Sequence, residues 1–124
     1  MTGTPESRPL VLVAGLDPIF QVGIVRALAD EGAEVFEQTP PSPDALVRWT
    51  AEHGPEAIVL GDGLGGAPDL TARLRAAAPM ATLMLWRTDA RVVTVLTPGV
   101  GAPRVIPPPT PSELAAELFG RADK

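Results

Sequence analysis

The sequence predicts an α/β fold, a parallel sheet with helices on both faces, and three observations lead there. Short apolar runs bounded by turn residues recur, of which Leu10–Ala14, Ala57–Leu60 and Thr82–Trp86 are the clearest. Each is too short for a helix and suits a strand covered on both sides. Between them lie segments with apolar residues at helical spacing. Strands and helices alternate through connections of a few residues, as a parallel sheet with right-handed helical crossovers requires.

Taken in order, Pro9–Ala14 is the first strand, and Asp17 then caps a helix whose first residue is Pro18. Phe20, Ile24, Val25 and Leu28 mark its inner face to about Asp30, and Gly32 stops it. Ala33–Phe36 is a short second strand. Ser42 or Asp44 opens a second helix carrying Leu46, Val47 and Trp49, and Gly54-Pro55 ends it. The third strand runs from Ala57 to Leu60 into a glycine-rich turn, Gly61 to Gly66. Asp69–Ala77 is a third helix with Leu70 and Leu74 inward, and Thr82–Trp86 a fourth strand. In Asp89–Thr97 the valines favour a strand by propensity, whereas the alternation places a helix there; the expectation is a short helix. Arg104–Ile106 is the fifth strand. Ser112, or Thr110 with Glu113 as a capping box, starts a last helix to about Arg121.

These elements predict a flavodoxin-like three-layer sandwich, a five-stranded parallel sheet of order 2-1-3-4-5 with about five helices. Residues 1–8 and 122–124 read as tails around one domain, 9–121. Ligands or chemistry should gather at the C-terminal ends of the first, third and fourth strands.

Composition narrows the function. The chain has 124 residues, 45% apolar and 20% charged, as in an ordinary soluble domain. A net charge of -5, with lysine only at Lys124, argues against direct nucleic-acid binding by this segment. No cysteine is present and His53 is the only histidine, which excludes disulfides, thiolate nucleophiles and multi-histidine metal sites. There is no apolar run of the roughly 20 residues a spanning helix needs, and Met1–Pro9 does not read as a signal peptide, so the expected compartment is the cytoplasm with no membrane association.

Three local patterns carry a family likeness that covers Leu10 to Gly120. Asp17-Pro18-Ile19-Phe20-Gln21-Val22-Gly23 resembles a turn and first helix in which His-Pro-x-Phe-Arg-x-Gly is usual. Pro55-Glu56-Ala57-Ile58-Val59-Leu60 resembles the Pro-Asp-Val-Val-Leu-Leu that leads to a phosphorylated aspartate, and Pro111-Ser112-Glu113-Leu114 resembles a Pro-Glu-Glu-Leu helix start. Together they resemble a response-regulator receiver domain, of the kind that precedes a LuxR-like helix-turn-helix.

The resemblance implies a magnesium-assisted phosphoryl-transfer site, and at each of its positions this chain departs from the pattern. The acid pair after the first strand falls on Gly15 and Leu16, with Asp17 nearby, and the phosphoacceptor falls on Gly61. The Ser/Thr position falls near Arg87, one residue before Thr88, and the lysine position falls on Pro107. Asp17 with Asp62 would make a poor magnesium pair. Without metal and lysine, nothing would neutralise charge on a transferring phosphoryl group. The likeness also implies a cis bond, here Pro107–Pro108.

Other residues have competing readings. Asp62 is a shifted phosphoacceptor or a solvated turn residue, and a one-residue slip would turn it to the opposite face. Gly61–Gly66 is a turn rather than a phosphate cradle, since neither GxGxxG nor a Walker lysine is present. His53 suits a helix C-terminus. Trp49 and Trp86 are packing residues, with Trp86 the candidate to line a site. Arg87 and Arg91 are surface cations or a site for an anionic ligand or acidic partner.

The expected function is a phosphorylation-independent pseudo-receiver without enzymatic activity, metal or cofactor. It would act in signalling or transcription regulation as an interaction module, a homodimer or the partner of a linked DNA-binding domain, through the face of its fourth helix, fifth strand and fifth helix. The alternatives are a small-ligand sensor using the emptied pocket around Gly15, Gly61, Trp86 and Arg87, and a residual phosphoacceptor domain using Asp62.

Overall fold

A computed structural model describes residues 9–37, 42–61, 69–87, 92–99, 103–107, 109 and 113–114, the Phe20 side chain excepted. The elements are β1 (Leu10–Ala14), α1 (Pro18–Asp30), β2 (Glu34–Glu37), α2 (Pro43–His53), β3 (Ala57–Gly61), α3 (Leu70–Ala77), β4 (Thr82–Arg87), β5 (Val92–Leu96) and β6 (Arg104–Ile106). They form an α/β domain around one mixed sheet of order β2-β1-β3-β4-β5-β6.

Helix boundaries follow local hydrogen bonding. Asp17 Oδ1 accepts from the Ile19 N–H at 3.1 Å, and Pro18 follows where a missing N–H costs nothing. At the far end of α1 the Ala33 N–H reaches the Leu28 carbonyl at 3.0 Å across Gly32, a Schellman closure. Ser42 is the N-cap of α2, accepting from the Ala45 N–H, and Gly54 ends that helix in the left-handed region at φ 60°. Asp69 precedes α3 without a side-chain capping bond.

The strands β2, β1, β3 and β4 are parallel neighbours, as the alternation predicts. The next segment corrects the expectation. Val92–Leu96 is a strand, antiparallel to β4, where a helix was expected over Asp89–Thr97. Three valines and a threonine carry χ1-restricted branched side chains that fit a pleated surface better than a helix. Their alternation also buries Val93 and Val95 on one face. β6 then pairs antiparallel to β5. The sheet is therefore six-stranded and mixed, not five-stranded and parallel, and the described residues contain three helices of at least two turns instead of five. Glu113 and Leu114 have helical backbone, and the remainder of the expected last helix lies outside the described residues.

Strand alternation divides the core into two layers. Val11, Val13, Val59, Met84, Trp86, Val93 and Val95 meet Ile24 and Leu28 of α1, with Leu114 on the same side. Leu12, Ala14, Ile58, Leu60 and Leu83 meet Leu46 of α2 and Leu70 and Leu74 of α3. Leu12, Leu28, Leu46, Ile58 and Leu74 are fully buried. Each contributes about 1.5–3 kcal/mol of transfer free energy relative to exposure. Arg75 joins α3 to the inserted strand: its guanidinium donates to the Pro79 carbonyl at 3.0 Å, to the Ala81 carbonyl, and to the Leu96 carbonyl at 2.9 Å.

Candidate functional site

The C-terminal ends of β1, β3 and β4 lie side by side, with Ala14 opposite Leu60 and Gly61 opposite Trp86. This is where the sequence places Gly15, Leu16, Asp17, Gly61, Trp86 and Arg87, and the fold brings these six to one end of the sheet. Gly15 turns the chain out of β1 at φ 78°, a conformation that favours glycine. Leu16 packs against the α1-side core instead of facing solvent. Asp17 is exposed, and its carboxylate caps α1.

Gly61 holds the decisive geometry. A Cβ added there would meet the Gly15 carbonyl oxygen, lie 2.7 Å from the Gly15 carbonyl carbon and 2.8 Å from the Leu16 Cα. All three are backbone atoms, so no rotamer change relieves the contact. The β1–α1 turn thus occupies the space above the end of β3 where a side chain would begin. Beside it in register stands Trp86, 7% exposed and part of the α1-side core. Trp86 therefore packs the interior and does not line an open site.

Arg87 ends β4 and is exposed. Pro107 follows β6 and is exposed as well, but the insertion of β5 has moved it outward. With neighbouring strands about 4.8 Å apart, β6 stands roughly 14 Å from β3, instead of the roughly 10 Å of a sheet in which it followed β4 directly. The fold does not bring Pro107 to Gly61. Asp62, Thr88 and Arg91 lie outside the described residues, as do Pro108 and the glycine-rich turn beyond Gly61. Among the described residues, no three His, Cys, Asp or Glu side chains are grouped to hold a metal ion. No helix among them is long and apolar enough to cross a membrane.

His53 and Trp49 sit elsewhere, in a surface stack that sequence reasoning missed. Phe36 of β2 stacks on Trp49 with centroids 4.6 Å apart, and Trp49 stacks on His53 at 4.4 Å. His53 Nδ1 lies 3.0 Å from the Trp49 carbonyl, which can only accept, so Nδ1 carries the proton and donates. The i, i+4 spacing of Trp49 and His53 on α2 was the available signal; the position of Phe36 depends on the tertiary fold. The stack is a packing element joining α2 to the sheet edge.

Comparison with known proteins finds no matching family model, no matching curated protein and no matching solved structure. The functional reading therefore stands on the residues and their geometry. At this end of the sheet the described residues carry one carboxylate, Asp17, which caps α1, and one guanidinium, Arg87, while Gly61 stands where a phosphoacceptor would.

Proposed function

We propose that this chain is a phosphorylation-independent pseudo-receiver, a cytoplasmic regulatory interaction module built on a doubly wound scaffold of the flavodoxin-like kind. The observation that carries the proposal is the closure of the β1–α1 turn over Gly61, where a Cβ would lie 2.7 Å from the backbone of Gly15. A site that had lost only its aspartate would keep room for one. Here the β1–α1 turn occupies that room, and the neighbouring acid positions are Gly15 and the inward-packed Leu16.

The same closure weighs against the small-ligand sensor, because backbone fills the space that an emptied pocket would offer. The module's role is to hold a partner, either a second copy or a linked DNA-binding domain. The test is an amide NMR spectrum recorded with magnesium and beryllofluoride or acetyl phosphate. The spectrum should be unchanged, and shifts centred on Asp62 would refute the proposal.

A further inference from the structure

We infer that the β6 edge of the sheet docks a second copy of this chain, strand against antiparallel strand, about a two-fold axis through Val105. The inference rests on the reading of the chain as an interaction module and names its partner and surface. It starts from the difference between the two edges. Among the described residues the sheet ends at β2 on one side and at β6 on the other, and an edge strand is a template for another strand unless something blocks it.

The β2 edge is blocked by charge. Glu34 and Glu37 are exposed at its two ends. Antiparallel pairing of β2 with its own copy about the strand centre sets Glu34 opposite Glu37 twice, and like charges directly opposite are destabilising. Phe36 is already engaged with Trp49, and Glu37 accepts a hydrogen bond from Gln21 at 2.9 Å.

The β6 edge carries no acid. Val105 at its centre is 64% exposed and belongs to neither core cluster. Pairing about Val105 sets Arg104 opposite Ile106 of the second copy, so the two arginines stand at opposite ends of the pair and no like charges face each other. Length matches as well. Pro103 and Pro107 bracket the strand, and proline supplies no ladder N–H, so a longer foreign strand would run past the edge unpaired. A second β6 has the same three residues and stops at the same points. The side-chain row Leu85–Thr94–Val105, set by the β4–β5 and β5–β6 registers, then continues through Val105 of the second copy.

Sedimentation of the chain and of Val105→Lys and Val105→Glu tests this, because either charge would face its own copy across the axis. The wild type should show a concentration-dependent dimer. Each variant should lose it, and an equimolar mixture of the two should recover it. Val105 is exposed, so both variants should keep the wild-type amide shifts in β1, β3 and the helices, with changes confined to β6 and its neighbours. A dimer that persists in both variants overturns docking at β6 and leaves the interaction-module reading intact. A wild-type monomer up to about millimolar concentration, the weak end of specific association, also overturns it. The beryllofluoride spectrum judges the parent reading separately.

Discussion

Replacing Gly61 by alanine puts one methyl group where the β1–α1 turn already sits. The added Cβ would lie 2.7 Å from the Gly15 carbonyl carbon, against the 3.4 Å at which ordinary contact begins, and nearer still to the Gly15 carbonyl oxygen, so the turn must withdraw by at least about 0.7 Å (3.4 minus 2.7). The turn cannot give way cheaply, because Leu16 behind it is packed into the core and Asp17 caps α1. Overpacking of this kind costs about 1–3 kcal/mol, and the backbone identity of the blocking atoms argues for the upper part of that range. Gly23→Ala is the natural control: it lies in α1 with nothing within 4 Å of an added Cβ. There the same methyl should stabilise by about 0.5–1 kcal/mol, the helical difference between glycine and alanine. Urea unfolding followed by far-UV circular dichroism reads both. With a slope of about 1–3 kcal/mol per molar urea, the two midpoints should move in opposite directions, the Gly23→Ala midpoint by about 0.2–1 M and the Gly61→Ala midpoint by more. A Gly61→Ala midpoint equal to or above wild type would refute the closed-turn geometry and reopen the pocket as a ligand site.

Further outcomes follow from single contacts. Thr50 is fully buried in α2, and its hydroxyl has no hydrogen-bond partner among the described residues, so Thr50→Val should raise stability by about 1 kcal/mol, read as a higher melting temperature. Arg75→Leu removes a charged donor from the Pro79, Ala81 and Leu96 carbonyls; it should cost about 1.5–3 kcal/mol and speed hydrogen exchange first in β5, whereas uniform exchange would argue against a local clasp. Asp17→Ala removes the α1 cap and should cost about 1 kcal/mol, while Asp17→Asn should retain most of it.

Much of the architecture is legible in the sequence because its signals are local. The apolar runs of β1, β3 and β4, the Asp17-Pro18 and Ser42-Pro43 helix starts, and the glycines after α1 and α2 each state their role within a few residues. Val92–Leu96 is also locally legible, since its β-branched residues and alternating burial belong to a strand. The expectation of a helix there came from continuing a global pattern against that local signal, and the local signal won. The missing acids at Gly15, Leu16 and Gly61 are visible in the sequence. That Gly61 has no room for a side chain is not, because the blocking atoms come from residues far away in the chain, brought close only by the β1–β3 pairing. The surface stack was half legible, with Trp49 and His53 one turn apart and Phe36 delivered by the fold.

The antiparallel hairpin of β4 and β5 divides the sheet by the reach of its contacts. Arg87 pairs with Val92, five positions on, and Leu83 with Leu96, thirteen on, whereas Val11 pairs with Ala57 across forty-six. Closing a short loop costs less chain entropy than closing a long one, and sheets built from nearby segments assemble faster. The β4–β5–β6 half is therefore expected to form early, as a hydrogen-bonded template on which β3 and then β1 dock as α3, α1 and α2 order. A chain with a helix in place of β5 would have no such local start, and its sheet would wait on long-range crossovers alone.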